Sequence, residues 1–236
     1  MIHVPSTVGE RWLGRDFVLI ESVAHAGNGV VDLWEESPVR LDSNEPNTDE
    51  VIDLLFPGNS LLCCGWTRHH FDTRPRTHWY KLQDLQFIVP SPMTAPRGLT
   101  QQHKLSPHAL SNTGPRRFLI VEFDFEASNS AEEARLLERL ATEGRDVRDL
   151  CAALLMHLAE KAPLALAVHS GQKSLHGWFY CAGVPEEKVW GFFQYAVLLG
   201  ADRANWNRSQ FARMPDGRRE NGKRQIVYFL NPQVVE

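Results

Sequence analysis

Between residues 118 and 231 the sequence alternates strand-like and helix-like runs in a fixed order, and few architectures accommodate that order. FLIVEFDF (118–125) is a β-type run whose second half alternates, Glu122 and Asp124 on one side and Phe123 and Phe125 on the other. Ser130, with Glu133 three residues on, predicts a capping box ahead of the helical stretch AEEARLLERLATEG. After Gly144, Asp146 predicts the cap of a second helix, VRDLCAALLMHLAEK, which stops before Pro163. LALAVH (164–169) and LHGWFYC (175–181) read as paired strands around Ser170–Gly171. Pro185 with Glu186 and Glu187 opens a helix that ends at Gly200, and IVYFL (226–230) is the last strand.

The resulting order, β–αα–β–β–α–β, predicts an α+β fold with a ferredoxin-like or RRM-type split βαβ core over 118–231. Its helices are expected on one face of the sheet, leaving the other free for function. Residues 1–117 form an N-terminal α/β module. DEVIDLLF reads as a short helix, SLLCCGW as a strand, and IVPSPMTAPRG as extended or turn-rich chain. Asn and Pro cluster in DSNEPNT (42–48). IVPSPM is apolar enough to pack, so residues 1–236 are expected to form one continuous globule.

Composition narrows the function classes. Of 236 residues, 43% are apolar and 23% charged, which excludes disorder and collagen-like repeats. No apolar run approaches a membrane span, and MIHVPSTVGERW lacks the apolar core of a signal peptide. Cys63, Cys64, Cys151 and Cys181 show no framework spacing. The expectation is a soluble cytoplasmic protein without membrane contact.

The net charge of −4 hides a segregation. Residues 1–57 balance to −8, 66–117 to +6 with five histidines, 118–202 to −6, and 203–224 to +5. Two basic blocks around an acidic middle fit a polyanion-binding surface or a solvated mixed one.

Three clusters carry candidate chemistry. Glu122 and Asp124, at i and i+2 on a strand, point to one face, where hard divalent cations take such oxygen ligands. E-x-D alone fits better an exposed strand whose alternate residues happen to be acidic. Ser174 and His176 share a strand face beside Lys173, and all three can donate to phosphate, or they form an ordinary turn with a half-buried histidine. Asp202 follows a helix end and precedes an Arg-rich loop in which Arg213, Arg219, Lys223 and Arg224 surround Pro215, Gly217 and Gly222. Such a loop can turn closely about an anion or simply be solvated. Cys63, Cys64, His69, His70 and His78 fit no zinc module, so core cysteines and surface histidines are expected and no zinc is predicted.

Taken together, these motifs resemble the archaeo-eukaryotic primase superfamily, in particular primase-polymerases of phage and plasmid origin. Ile120-Val121-Glu122-Phe123-Asp124 matches the family's apolar strand with two acids, Ser174-Leu175-His176 its S-x-H, and Asp202 its third acid. Ser209 to Pro215 matches the aromatic-and-arginine stretch that follows. The motifs span about 118–231; upstream, LWEESPVRL, LFPGNSLLCCG, IVPSPM and NTGPRR also look like phage-type members. Glu122 stands where many relatives have Asp, a change that keeps a carboxylate ligand, and the zinc module or helicase domain of many relatives is not visible.

The resemblance implies a DNA-templated nucleotidyltransferase that makes or extends primers on single-stranded DNA in replication of a phage, plasmid or mobile element. Glu122, Asp124 and Asp202 would hold two divalent ions, Mg²⁺ or Mn²⁺. Lys173, Ser174, His176, Arg213, Arg219 and Lys223 would grip the dNTP or NTP. Arg74, Arg76, Lys104, Arg116 and Arg117, in the basic stretch that also holds Trp66, Phe71, Trp79 and Tyr80, would contact the template. Implied partners are the template, a primer strand and a replicative helicase, separate or fused. Three rivals stand beside this: a non-catalytic RRM-like module for single-stranded nucleic acid, a catalytically retired subunit, and an HUH-type initiator nuclease. For the last, Tyr195 is the candidate nucleophile, yet the chain has no His-x-His.

Overall fold

Alternation within FLIVEFDF decides how the layers stack. In the computed structural model, which describes residues 12–41 and 45–235, Leu119, Val121, Phe123 and Phe125 enter one apolar core while Phe118 and Ile120 enter another. The N-terminal segment 1–11 and part of the Asn/Pro cluster, 42–44, lie outside the described residues.

The N-terminal part contains α1 (Phe17–Ala26), α2 (Val30–Glu35) and α3 (Thr48–Leu55), then β1 (Leu61–Gly65), β2 (Phe71–Pro75) and β3 (Phe87–Ile88). A small hairpin follows, β4 (Gly98–Leu99) with β5 (Leu105–Ser106). Next come β6 (Phe118–Phe123), α4 (Ala131–Thr142), α5 (Val147–Ala159), β7 (Leu164–His169), β8 (Leu175–Tyr180) and α6 (Glu186–Leu198). β9 (Ala212–Arg213) and β10 (Val227–Leu230) complete the α+β fold.

The predicted order over 118–230 is present. One sheet runs β10-β7-β8-β6, antiparallel throughout, so β6 and β7 are parallel with β8 between them. The caps act largely as the sequence indicates: Asp146 accepts from the amides of Arg148 and Asp149, and Ser130 accepts from Glu133 N. The Ser130 box is only half formed. The Glu133 carboxylate turns away, accepting from Glu126 N and Asn129 Nδ2 and pairing with Arg15.

One expectation is corrected. α4, α5 and α6 do pack on one face, but the other face is not free. Phe118, Ile120, Leu166, Val168 and Trp178 are buried in a core shared with α3, β1 and β3. Leaving Trp178 and Phe118 in water would forgo about 1.5–3 kcal/mol each, so the N-terminal part covers them. Toward the end of the sheet, Glu122 and His176 replace apolar residues in the register, Glu122 half-buried and His176 buried.

The two parts of the chain interleave. α1 and α2 contribute Ile20, Val23, Ala24 and Leu33 to the helical core of the β6–β10 sheet. β9 leaves that region and pairs with β3, giving the first sheet the order β2-β1-β3-β9. The basic loop after Asp202 is thereby stretched from one sheet to the other.

Candidate active site

Sheet register sets the first contacts. Glu122 lies opposite His176 on β8, and Asp124 follows just beyond β6. The outer edge of β6 is capped by the chain leaving α6: Phe123 bridges Ala201, and Asp202 N donates to Glu122 O at 3.0 Å. Asp202 then caps a 3₁₀ turn, Arg203–Trp206, by accepting from Ala204 N. Three acids from two distant segments thus border one another.

Both carboxylate oxygens of Glu122 are engaged. Oε1 lies 3.2 Å from His176 Nε2, and Oε2 accepts from Asn205 Nδ2 at 3.3 Å. Ser174 Oγ is 3.2 Å from the same His176 nitrogen. Burial opposes ionisation of Glu122, but the charge of His176 and hydrogen bonds from His176, Asn205 and Ser174 outweigh it, holding the carboxyl down at about 2. Asp124 is half-exposed; its Oδ1 is shielded and makes no hydrogen bond, with Lys173 Nζ 3.4 Å away as an ion pair. Lys173 also pairs with Glu126, whose hydrogen bond chiefly raises the ammonium's affinity for its proton.

The acids form the common border of two clefts. One, of about 260 Å³, is lined by Arg68, Lys173, Ser174, His176, Arg213 and Arg219 among others, with Phe87 and Phe211. The other, about 680 Å³, is walled by Arg15, Glu133, Ser130 and Arg203. Glu122, Asp124 and Asp202 line both. In the basic cleft, burial and then the neighbouring Arg219 push Arg213 down to about 10, a guanidinium short of anions. Arg213 lies over the Phe87 ring at 4.9 Å, and Arg219 donates to Ser170 O at 2.9 Å.

The residues singled out from sequence divide. Glu122, Asp124, Asp202, Lys173, Ser174, His176, Arg213 and Arg219 meet around the basic cleft, while Lys223 is exposed beside it and does not line it. His176 is 3% exposed, and its Nε2 is already engaged by Glu122 and Ser174. Arg74, Arg76, Lys104, Arg116 and Arg117 do not form one surface. Arg76 clasps Asp49 and Asp53, Arg116 pairs with Glu186 and covers Trp206, and Arg117 donates to Leu55 O. Arg74 pairs with Asp72 and lies over Trp79; Lys104 is exposed on the β4–β5 hairpin. Arg68, Asn205 and Phe211 also belong to the site. The D-x-x-N spacing of Asp202 and Asn205, typical of a capped turn, is the signal that marks Asn205; Phe211 falls inside the Ser209–Pro215 stretch, and nothing local marks Arg68.

No protein-family model, curated protein or solved structure matches the chain. Among the described residues, no three His, Cys, Asp or Glu side chains converge closely enough to hold a metal ion. Cys63 and Cys64 are fully buried core residues, and burial pushes the Cys63 thiol up to about 12. Tyr195 lies in the helical layer, its hydroxyl 2.7 Å from His157 Nε2.

Proposed function

We propose that the chain is a DNA-templated nucleotidyltransferase of the primase-polymerase kind, with a ferredoxin-like catalytic core. The observation that carries this reading is the shared border: three acids stand between a cleft rich in Arg and Lys and a second, roomier cleft. A reaction joining a hydroxyl to a triphosphate needs two adjoining sites with carboxylates between them.

Arg68, Arg213, Arg219 and Lys173 hold the triphosphate in the basic cleft, and Phe87 and Phe211 border it with flat apolar surface. The attacking 3′-hydroxyl enters from the larger cleft and bonds to the α-phosphorus. The bond from that phosphorus to pyrophosphate breaks, the pyrophosphate leaves among the Arg and Lys side chains, and the hydroxyl proton passes to solvent. Glu122, kept ionised by His176 and Asn205, together with Asp124 and Asp202 would hold Mg²⁺ or Mn²⁺. The oxygen-only donor set and the Asp124 Oδ1 without a hydrogen bond fit a hard cation. Mg²⁺ sites on phosphates use one or two carboxylates, with substrate and water supplying the rest, so three converging side chains are not required. When bound, such ions neutralise the reacting phosphates and lower the pKa of the hydroxyl. Lys173, which pairs with Asp124 and Glu126 and also lines the basic cleft, would then be free to meet the triphosphate.

One feature departs from the ferredoxin-like pattern: β10 lies beside β7 rather than beside the first strand, β6. The edge of β6 is left to Ala201 and Asp202, which seats the third acid. An RRM-like module that stacks bases on its sheet would need Phe118 and Trp178 exposed; both are buried.

The test is synthesis on single-stranded DNA with labelled nucleotides and Mg²⁺ or Mn²⁺, with and without primer, beside Asp124→Ala. Unprimed products absent from the variant support a primase-polymerase, and products only with primer support a polymerase. Silence in both proteins, with DNA binding that survives chelator, overturns the reading in favour of a binding module.

A further inference from the structure

Met93 and Thr113 pair in an isolated antiparallel bridge, and between them the chain leaves the first sheet as an excursion tipped by the β4–β5 hairpin. Leu99 and Leu105 face each other across that hairpin, 51% and 68% exposed, and Leu110 beside it is 47% exposed. The stem is rigid. Asn112, 1% exposed, donates to the carbonyls of Ala95 and Pro107 and accepts from Ala109 N, while the Thr73 hydroxyl of β2 donates to Pro107 O at 2.6 Å. Leucines on a slack loop would fold back onto the body of the protein. On a stem clamped by a buried amide they stay in water until another molecule covers them.

Charge indicates the covering molecule. From residue 85 to residue 121 there is no Asp or Glu, while Arg97, Lys104, Arg116 and Arg117 fall in that span. Arg116 and Arg117 turn inward, but Arg97 and Lys104 are exposed at the hairpin. Apolar and cationic groups side by side match a nucleic-acid strand, which offers base and sugar faces between phosphates. The stem also connects to the candidate site. His108 Nε2 meets Ser209 O, and its ring centroid is 4.1 Å from that of Phe211, which borders the basic cleft.

We propose that the hairpin 98–106 is a contact for the nucleic-acid strand leading to the cleft, with Leu99 and Leu105 against bases or sugars and Arg97 and Lys104 on phosphates. The inference rests on the nucleotidyltransferase reading and names the element that carries its template.

The test uses the full chain in EDTA, with fluorescence anisotropy of a labelled oligothymidylate and of a labelled DNA duplex. The pairs are Leu99→Ser with Leu105→Ser, and Arg97→Ala with Lys104→Ala; Val18→Ser, an exposed apolar change on α1, is the control. The leucine pair is expected to weaken binding about 10-fold, the scale of losing part of two buried leucine side chains. The cationic pair should lower the salt slope by about 2. The two probes tell whether the strand is met single or paired. Affinity and slope equal to the parent in both pairs overturn the inference while leaving synthesis untouched. A leucine pair that alters only oligomeric state overturns it in favour of self-association. A parent that binds neither probe and makes no product overturns the nucleotidyltransferase reading with it.

Discussion

Asn205 Nδ2 lies 3.3 Å from Glu122 Oε2, joining the turn that Asp202 caps to the strand that carries Glu122 and leads into Asp124. The contact crosses 83 positions of sequence. It makes the third acid's position depend on the first strand, and it occupies the oxygen that His176 does not reach.

The pH dependence of stability follows from this pairing. The folded Glu122 carboxyl sits at about 2 against an ordinary 4.5, so its network contributes fully above about 4.5 and is lost as pH falls toward 2. Thermal melts of the parent should lose stability across that window, on the order of 2–3 kcal/mol from this one group. Glu122→Gln should flatten that part of the profile, and Asn205→Ala should narrow it from the acid side. A Glu122 carbon resonance titrating near 4.5 in the parent would refute the network.

Lys173 stands between two roles, and its removal should move two affinities in opposite directions. Its ammonium neutralises Asp124 and Glu126 while no cation is bound, yet it also lines the basic cleft. Lys173→Ala should bind Mn²⁺ more tightly, by about 3-fold or more, because a surface cation no longer competes. The same variant should bind a non-hydrolysable triphosphate about 10-fold more weakly, having lost one charge-assisted contact. Mn²⁺ titration by electron paramagnetic resonance and calorimetry with the triphosphate read the two separately. Parallel losses in both would mean that Lys173 only maintains the loop.

How much of this was legible depends on whether the signal is local. The strands and helices from Phe118 to Leu230 announce themselves because apolar period, caps at Ser130 and Asp146, and Pro185 agree with one another. α1 and α2 do not, because Val18 and Val31 lie exposed and blur the helical period. β9 is two residues long and exists through its partner β3, a pairing of long sequence separation that no window of sequence contains. Glu122 with Asp124 and Ser174 with His176 are legible as pairs because extended chain brings i and i+2 to one side. Asp124 falls just past β6 and Ser174 just before β8, so each strand carries only one member of its pair. The covered sheet face was harder to see: Phe118, Ile120 and Trp178 are as apolar as the helix-facing residues, but nothing local says what packs on them. Arginines mislead for a related reason, since Arg76, Arg116 and Arg117 find carboxylates and carbonyls only after folding.

Arg76 tests that last distinction. Its guanidinium, 12% exposed, bonds Asp49 and Asp53 and binds α3 to the end of β2. Arg76→Ala should cost about 2 kcal/mol through lost charge-assisted hydrogen bonds. In a chain of this size that lowers the melting temperature by roughly 4–8 °C. The salt slope of oligonucleotide binding should remain that of the parent, because the side chain meets carboxylates rather than phosphates. A slope reduced by about 1, with melting unchanged, would instead place Arg76 on nucleic acid.

Gly217 fixes the basic loop against the first sheet. A Cβ there would stand 2.2 Å from Leu85 O and 2.8 Å from the Met214 side chain. The backbone cannot yield cheaply, since Arg218 N donates to Gln83 O at 2.9 Å and Gln225 N to Gly217 O at 2.8 Å. Gly217→Ala should therefore destabilise by about 1–3 kcal/mol, the cost of overpacking, and shift the loop that carries Arg213 and Arg219. Gly222 provides the contrast: its φ is +78°, and a Cβ would meet nothing within 4 Å. Gly222→Ala should cost about 1 kcal/mol from the left-handed backbone alone. Triphosphate affinity should fall several-fold in the first variant and hold in the second; equal affinities in both would mean that the loop's seat on Leu85 does not set the positions of Arg213 and Arg219.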